Sequence, residues 1–148
     1  FLSKKKIFNH TKIIEKFYKK EYNKQAKIAI TGLNPHCESN YKSSEEKRII
    51  KPAIKLLIKK KINVKGPFAA DTIFMRDQLK KFDVIIGMYH DQVLTPIKTL
   101  FGFNAINITV GLPFIRISPD HGPNFKMVGK NLSNPQSLLE AIKFLDSK

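Results

Sequence analysis

Two short runs of β-prone residues, 27–31 (KIAIT) and 83–87 (DVIIG), constrain this chain more than any other feature. Each is Ile- or Val-rich and meets a glycine, Gly32 after the first and Gly87 at the end of the second. Runs this apolar leave no face for water, so they read as strands buried on both sides. That is the pattern of a parallel sheet covered by helices. The sequence between them supplies the helices. Residues 8–22 place Ile13, Ile14, Phe17 and Tyr18 at helical spacing, with Asn9 or Thr11 near the start. Ser43 and Glu46 have capping-box spacing. Behind them Ile49, Ile50, Ala53, Ile54, Leu57 and Ile58 form an apolar stripe, and Pro52 predicts a kink or a late start. Residues 63–65 suit a brief strand before Gly66-Pro67. Residues 93–100 suit a helix containing Pro96, and residues 105–110 a third strand. Asn134-Pro135 opens a last helix with proline at its first position, and Leu138, Leu139, Ile142, Phe144 and Leu145 supply mostly one face of it. Strands alternating with helices predict an α/β class with a largely parallel sheet, read as one region over residues 1–148.

Composition excludes several alternatives. At 148 residues and 42% hydrophobic, the chain can bury a core and is not a disordered segment. No stretch approaches the roughly 20 apolar residues that span a bilayer, so no membrane partner is expected. Cys37 stands alone, which rules out an intrachain disulfide and suits a cytoplasmic location. The formal charge of +15 raises the possibility of a basic nucleic-acid-binding module. Such modules gather basic residues on one face. Here the excess is Lys, with Arg only at Arg48, Arg76 and Arg116, and the Lys runs at 4–6, 19–20, 59–61 and 80–81 are short and near element ends. The charge is therefore read as a solvated surface, with no nucleic-acid partner. The chain begins at Phe1 without a leader pattern and is read as cut from something longer.

There is no G-x-G-x-x-G after a strand, no P-loop, no paired Cys/His zinc pattern and no G-x-S-x-G elbow. Functional groups of parallel sheets sit in the loops after strand ends, which directs attention to the loops after Thr31, Gly87 and Val110. His36 follows the first strand and His90 the second. Two imidazoles at neighbouring strand tips can share a divalent ion. On spacing alone, a histidine that caps a helix or packs in a loop is the favoured reading of each. For Asp71 three roles are open: metal ligand, partner to an imidazole, or helix N-cap. Asp91 carries the same ambiguity. Lys98, Asn107 and Arg116 are polar residues in apolar neighbourhoods, and a buried Arg116 would need an anion such as a substrate phosphate or a structural carboxylate.

The blocks Gly32-Leu33-Asn34-Pro35-His36, Gly66-Pro67-x-x-Ala70-Asp71-Thr72, Met88-Tyr89-His90-Asp91-Gln92, Asn107 through Arg116 (NITVGLPFIR) and Asp120-His121-Gly122 occur in this order. Together they resemble the 4-hydroxythreonine-4-phosphate dehydrogenase family of the vitamin B6 pathway, from about Lys27 to the end and as its carboxy-terminal portion. The resemblance implies an isocitrate/isopropylmalate dehydrogenase-like fold of two α/β domains, which lacks the glycine fingerprint. It implies a homodimer with a divalent ion (Zn, Mg or Co) at the interface, with His36 and His90 as metal ligands and histidines from both subunits holding the ion. It implies substrate contacts from Lys98, Asn107 and Arg116, catalytic roles for Lys98, Asp71 and Asp91, and NAD or NADP lined by Asp120, His121 and Gly122. The implied reaction oxidises 4-phosphooxy-L-threonine and decarboxylates it to 3-amino-2-oxopropyl phosphate. A sister enzyme acting on a phosphorylated four-carbon sugar acid is the nearest alternative. The chain departs from the family pattern in three places. The third metal histidine should lie upstream of the first helix, and His10 does not match its context. The substrate-contacting histidine-threonine pair is missing. Cys37-Glu38-Ser39-Asn40 replaces a more glycine-rich run.

Overall fold

The computed structural model describes residues 1–37, 43–123 and 125–147. These form two compact units, Phe1–Leu94 and Thr95–Lys148.

The first unit is built on a parallel sheet of order β2-β1-β3. Its central strand β1 (Ile28–Thr31) is buried at every position. It pairs on one side with β2 (Val64–Phe68) and on the other with β3 (Val84–Ile86). The ladder runs Ile28↔Val84, Ala29↔Ile85 and Ile30↔Ile86. Toward β2 the register slips between Ala29 and Thr31, opposite Gly66. Gly66 has φ +140°, and a Cβ there would collide with the Ile30 carbonyl, so only glycine fits this irregularity. Glycine in turn lets β2 continue past the three residues expected of it.

Helix α1 (Lys4–Tyr22) begins earlier than its apolar spacing indicates. Ser3 caps it, its hydroxyl accepting from the Lys6 amide at 3.2 Å. Thr11, expected near the start, lies inside the helix, buried, and donates to the Ile7 carbonyl at 2.7 Å. Helix α2 (Lys51–Lys59) starts late, with Pro52 in its first turn, after a wider π-helical turn over Glu46–Ile50. A proline at 52 has no amide to donate back into the preceding turn, which suits that opening. Ile50, Ala53, Ile54 and Leu57 of the anticipated stripe are buried with Ile7, Ala26, Ile28, Ile30, Ile62 and Val64 in one core, whereas Ile58 is exposed.

The Ser43/Glu46 capping box is not formed. Ser44 caps instead, accepting from the Lys47 amide at 3.3 Å, and Glu46 turns toward the loop after β1. Asp71 caps no helix either. It is exposed in a turn, and the short helix α3 (Arg76–Leu79) has Met75 at its cap position.

Helix α4 (His90–Phe101) starts three residues ahead of its expected start, so His90, Asp91 and Gln92 form its first turn. The boundary between the units falls within it.

In the second unit, β4 (Ile106–Thr109) lies within the anticipated third strand. It pairs antiparallel with β5 (Arg116–Pro119), a strand that the sequence did not announce. Asn107 lies opposite Ser118, and Thr109 opposite Arg116. Alternation puts these polar residues on one face, and Ile106, Ile108, Ile117 and Pro119 on the other. Helix α5 (Gln136–Asp146) packs on the pair. Asn134 opens it, its side-chain oxygen accepting from the Gln136 amide at 2.9 Å, one residue beyond the expected proline start. Buried Ser137 ties the unit together. Its hydroxyl donates to the Ala105 carbonyl at 2.6 Å and accepts from the Asp120 amide at 2.9 Å.

Candidate functional site

The two histidine-bearing loops leave the same edge of the parallel sheet, since β1 and β3 are neighbours running in one direction. His36 sits in a turn closed by the Cys37 amide on the Asn34 carbonyl at 3.1 Å, with Pro35 at the position such turns favour. Its ring is exposed and has no hydrogen-bond partner among the described residues. His90 opens α4, its Nδ1 2.7 Å from an Asp91 carboxylate oxygen. Both side chains are largely exposed. Asp91 thus has a definite contact: it fixes the His90 ring and leaves Nε2 open, the arrangement common among metal-binding histidines.

Glu46 is 1% exposed. Its Oε1 accepts from the amides of Leu33 (2.9 Å) and Asn34 (2.8 Å), and Oε2 from Asn34 Nδ2 (2.6 Å). Burial by itself raises its pKa, but the hydrogen bonds from Asn34 and Leu33 outweigh burial and hold the carboxyl below its ordinary value. It stays ionised and pins the loop that carries His36. Gly32 makes room for this, because a Cβ there would collide with Cys37 Sγ and press on Glu46. Burial pushes the Cys37 thiol up, so the thiolate that a metal requires is disfavoured beside His36.

Gln92, 7% exposed, makes the matching contacts on the other side. Its Nε2 donates to the Gly32 carbonyl at 2.8 Å, and Oε1 accepts from the Met88 amide at 2.7 Å and the Thr31 hydroxyl at 2.6 Å. Neither Glu46 nor Gln92 was singled out for a site role from sequence. Glu46 had a local explanation as a cap, and Gln92 stood in a motif whose histidine drew the attention. A polar residue two places after a strand-end histidine is the signal that Gln92 left, and Glu46 left its capping-box spacing.

The other expected residues are distributed as follows. Asp71 is exposed, with no hydrogen bond to either histidine. In the second unit, Lys98 Nζ lies 3.0 Å from Asp120 Oδ2, so an expected substrate contact and an expected cofactor contact pair with each other. Arg116 is exposed rather than buried, and its guanidinium donates to the Thr109 hydroxyl across the strand pair at 2.8 Å. Asn107 shares that polar face. His121 and Gly122 are exposed in the following loop. Asn124 in that loop, and Glu38, Ser39 and Asn40 of the departing run after Cys37, lie outside the described residues. His10 is exposed on α1 and lines a pocket with Ile86, Gly87 and Met88 at the end of β3. Among the described residues no three His, Cys, Asp or Glu side chains gather as a metal cluster. The donor chemistry therefore fits part of a metal site: an open imidazole in each loop, and one of them already braced by a carboxylate.

A family model described as pyridoxal phosphate biosynthetic protein PdxA matches residues 1–145. The chain belongs to the PdxA family. PdxA relatives support this along nearly the whole chain. A 4-hydroxythreonine-4-phosphate dehydrogenase of Sulfurihydrogenibium sp. is 44% identical over 144 residues, 96% of this chain and 44% of that protein. A provisionally named D-threonate 4-phosphate dehydrogenase of Oceanobacillus iheyensis is 47% identical over 121 residues, 80% of this chain and 36% of that protein. The crystal structure of 4-hydroxythreonine-4-phosphate dehydrogenase from Klebsiella pneumoniae superposes with a TM-score of 0.82 at 34% identity, covering 96% of this chain and 43% of that one. The chain thus spans less than half the length of the PdxA proteins it matches. Among its described residues, no helix is long and apolar enough to cross a membrane.

Proposed function

We propose that this chain works as part of a longer, cytoplasmic PdxA dehydrogenase that oxidises 4-phosphooxy-L-threonine with NAD or NADP and a divalent metal, releasing carbon dioxide and 3-amino-2-oxopropyl phosphate for pyridoxal phosphate synthesis. The observation that carries the reading is the pair of imidazoles after adjacent parallel strands, each on a loop anchored by a buried polar side chain. His36 and His90 supply ring nitrogens to the ion, and Asp91 keeps the His90 ring in the tautomer whose Nε2 is free to bind. When bound, the ion lowers the pKa of the substrate alcohol and polarises the resulting carbonyl, while the nicotinamide takes the hydride. Lys98, Asn107 and Arg116 hold the anionic groups of the substrate. The Thr109 hydroxyl presents the Arg116 guanidinium in a fixed orientation, which lowers the cost of ordering it. Asp71 and Asp91 serve as catalytic carboxylates, and Asp120, His121 and Gly122 line the cofactor. Lys98 must exchange Asp120 for substrate in this scheme. A second copy of the chain completes the metal site at a homodimer interface.

A second reading has a specific observation behind it. The Oceanobacillus relative is named for a phosphorylated four-carbon sugar acid, and its identity matches that of the threonine-phosphate enzymes. A substrate panel on a full-length dehydrogenase carrying these residues decides between them. Turnover of 4-phosphooxy-L-threonine, abolished by a chelator and restored by Zn²⁺ or Co²⁺, is the expected result. Turnover of D-threonate 4-phosphate alone would replace the substrate, and activity unaffected by chelation would remove the metal.

A further inference from the structure

We propose that the second unit is built to dock against the rest of a PdxA polypeptide, with an outward apolar stripe of α5 as the docking surface. The inference rests on the longer-enzyme part of the reading above and needs neither its substrate nor its metal. The hydrophobic core of the chain lies wholly within Phe1–Leu94. Among the described residues of Thr95–Lys148, only Ser137 and Ala141 are buried. A helix on a sheet is stable when the two close over large apolar side chains, and these two small residues do not supply them. The sheet is also narrow. Among the described residues β4 and β5 pair only with each other, and two strands by themselves are marginally stable in water. β5 carries Pro119, which suits an outer edge. β4 has neither proline nor charge to blunt its free edge.

Helix α5 shows where the cover belongs. Ser137 and Ala141, four residues apart, share the face through which the helix packs on the strands. Leu138, Ile142 and Leu145 share another face at spacings of four and three, with Leu139 beside them. These four are 45–49% exposed. The helix therefore puts small residues against the sheet and large apolar ones outward. A stripe that faces water is ordinarily polar, and a helix apolar on two faces is one that is covered on both. Length identifies the occupant. PdxA relatives carry this unit inside proteins of which the chain spans only 44% and 43%, and the Klebsiella structure keeps the fold over 96% of this chain. The remainder of such a polypeptide is the partner. Its chemistry is an apolar surface for the α5 stripe and a strand for the free edge of β4.

The test co-expresses the 148-residue chain with the part of the Sulfurihydrogenibium enzyme that lies outside the 144 matched residues, so that the two pieces meet as they are made. A one-to-one complex is expected by sedimentation, with its dissociation constant read from a dilution series. Leu138→Lys/Ile142→Lys is expected to weaken it by roughly 10-fold or more, because two charges enter an apolar contact. Ile58→Lys, at an exposed apolar position of α2 in the first unit, is expected to leave it unchanged. Circular dichroism confirms that each variant is folded. Wild-type affinity in the α5 variant, or equal weakening by Ile58→Lys, would overturn the docking surface and leave the longer-enzyme reading standing. If the double variant does not fold, unchanged affinity in Ile142→Gln would overturn it in the same way. A dimer of the 148-residue chain that the α5 variant turns into monomers would give the stripe to a second copy instead. No complex with the wild-type chain would overturn the longer-enzyme reading and this inference with it.

Discussion

Removing the Glu46 carboxylate leaves three donors without an acceptor: the amides of Leu33 and Asn34 and the Asn34 side chain. Buried donors stranded in this way cost about 1–3 kcal/mol each in desolvation, less whatever water can recover. Glu46→Ala is accordingly expected to lower unfolding stability by roughly 2–4 kcal/mol in urea titration, and an unchanged midpoint would contradict the contacts. The pH dependence has a definite sign. The hydrogen bonds that lower the Glu46 pKa exist only in the folded chain. Asp83 follows the same rule: the Lys27 amide at 2.8 Å is the main cause of its lowered pKa, against burial, and Lys24 at 3.1 Å adds to it. Folded pKa values below the unfolded ones contribute stability that is complete above the unfolded pKa and is lost as pH falls through the folded one. The urea midpoint is expected to drop on acidification below the ordinary carboxylate range, and to drop less in Glu46→Gln/Asp83→Asn. An identical acid slope in that variant would show that other groups set it.

Among the elements, the β4–β5 pair shows where sequence reading stopped. Residues 105–110 alternate so weakly in polarity that they pass for a strand buried on both faces. The partner Arg116–Pro119 contains a proline and a charge, and nothing local marks it as a strand. It exists because Ile117 pairs with Ile108, α5 packs on both strands, and Ser137 holds them through Ala105 and Asp120. Ser137→Ala is expected to cost about 1–3 kcal/mol and to raise amide exchange in β4 and β5 while leaving β1 protected. Uniform protection across both units would refute that division of stability. Helix starts differ from the expected ones for a related reason. Apolar spacing locates the stripe of a helix and not its cap, so it marks neither the first turn of α1 behind Ser3 nor the His90-Asp91-Gln92 turn of α4. Placing His90 at the first helical position changes its meaning, because its Nδ1 contact with Asp91 is a product of that turn.

For the molecule as a whole, the proposed division of labour makes a direct prediction. The proposed metal ligands lie in the first unit and the proposed substrate contacts in the second, yet the chain spans less than half the length of its relatives. The 148 residues alone are expected to form dimers by sedimentation and to give little or no NAD(P)-dependent turnover of 4-phosphooxy-L-threonine. Robust turnover would show that these units suffice. Much of this protein was already determined by sequence. Apolar runs favour covered strands, so residues 27–31 and 83–87 read as strands of a parallel sheet with His36 and His90 just beyond them; Ile28–Thr31 is buried throughout, whereas Val84–Ile86 takes the outer position and is only partly buried. The ordered motifs were enough for the family. Tertiary structure alone decided what holds those loops in place. Glu46 and Gln92 act on residues 12 and 60 positions away, Asn34 and Gly32. Contacts of that range follow from how strands are packed side by side, and no local spacing or propensity encodes them.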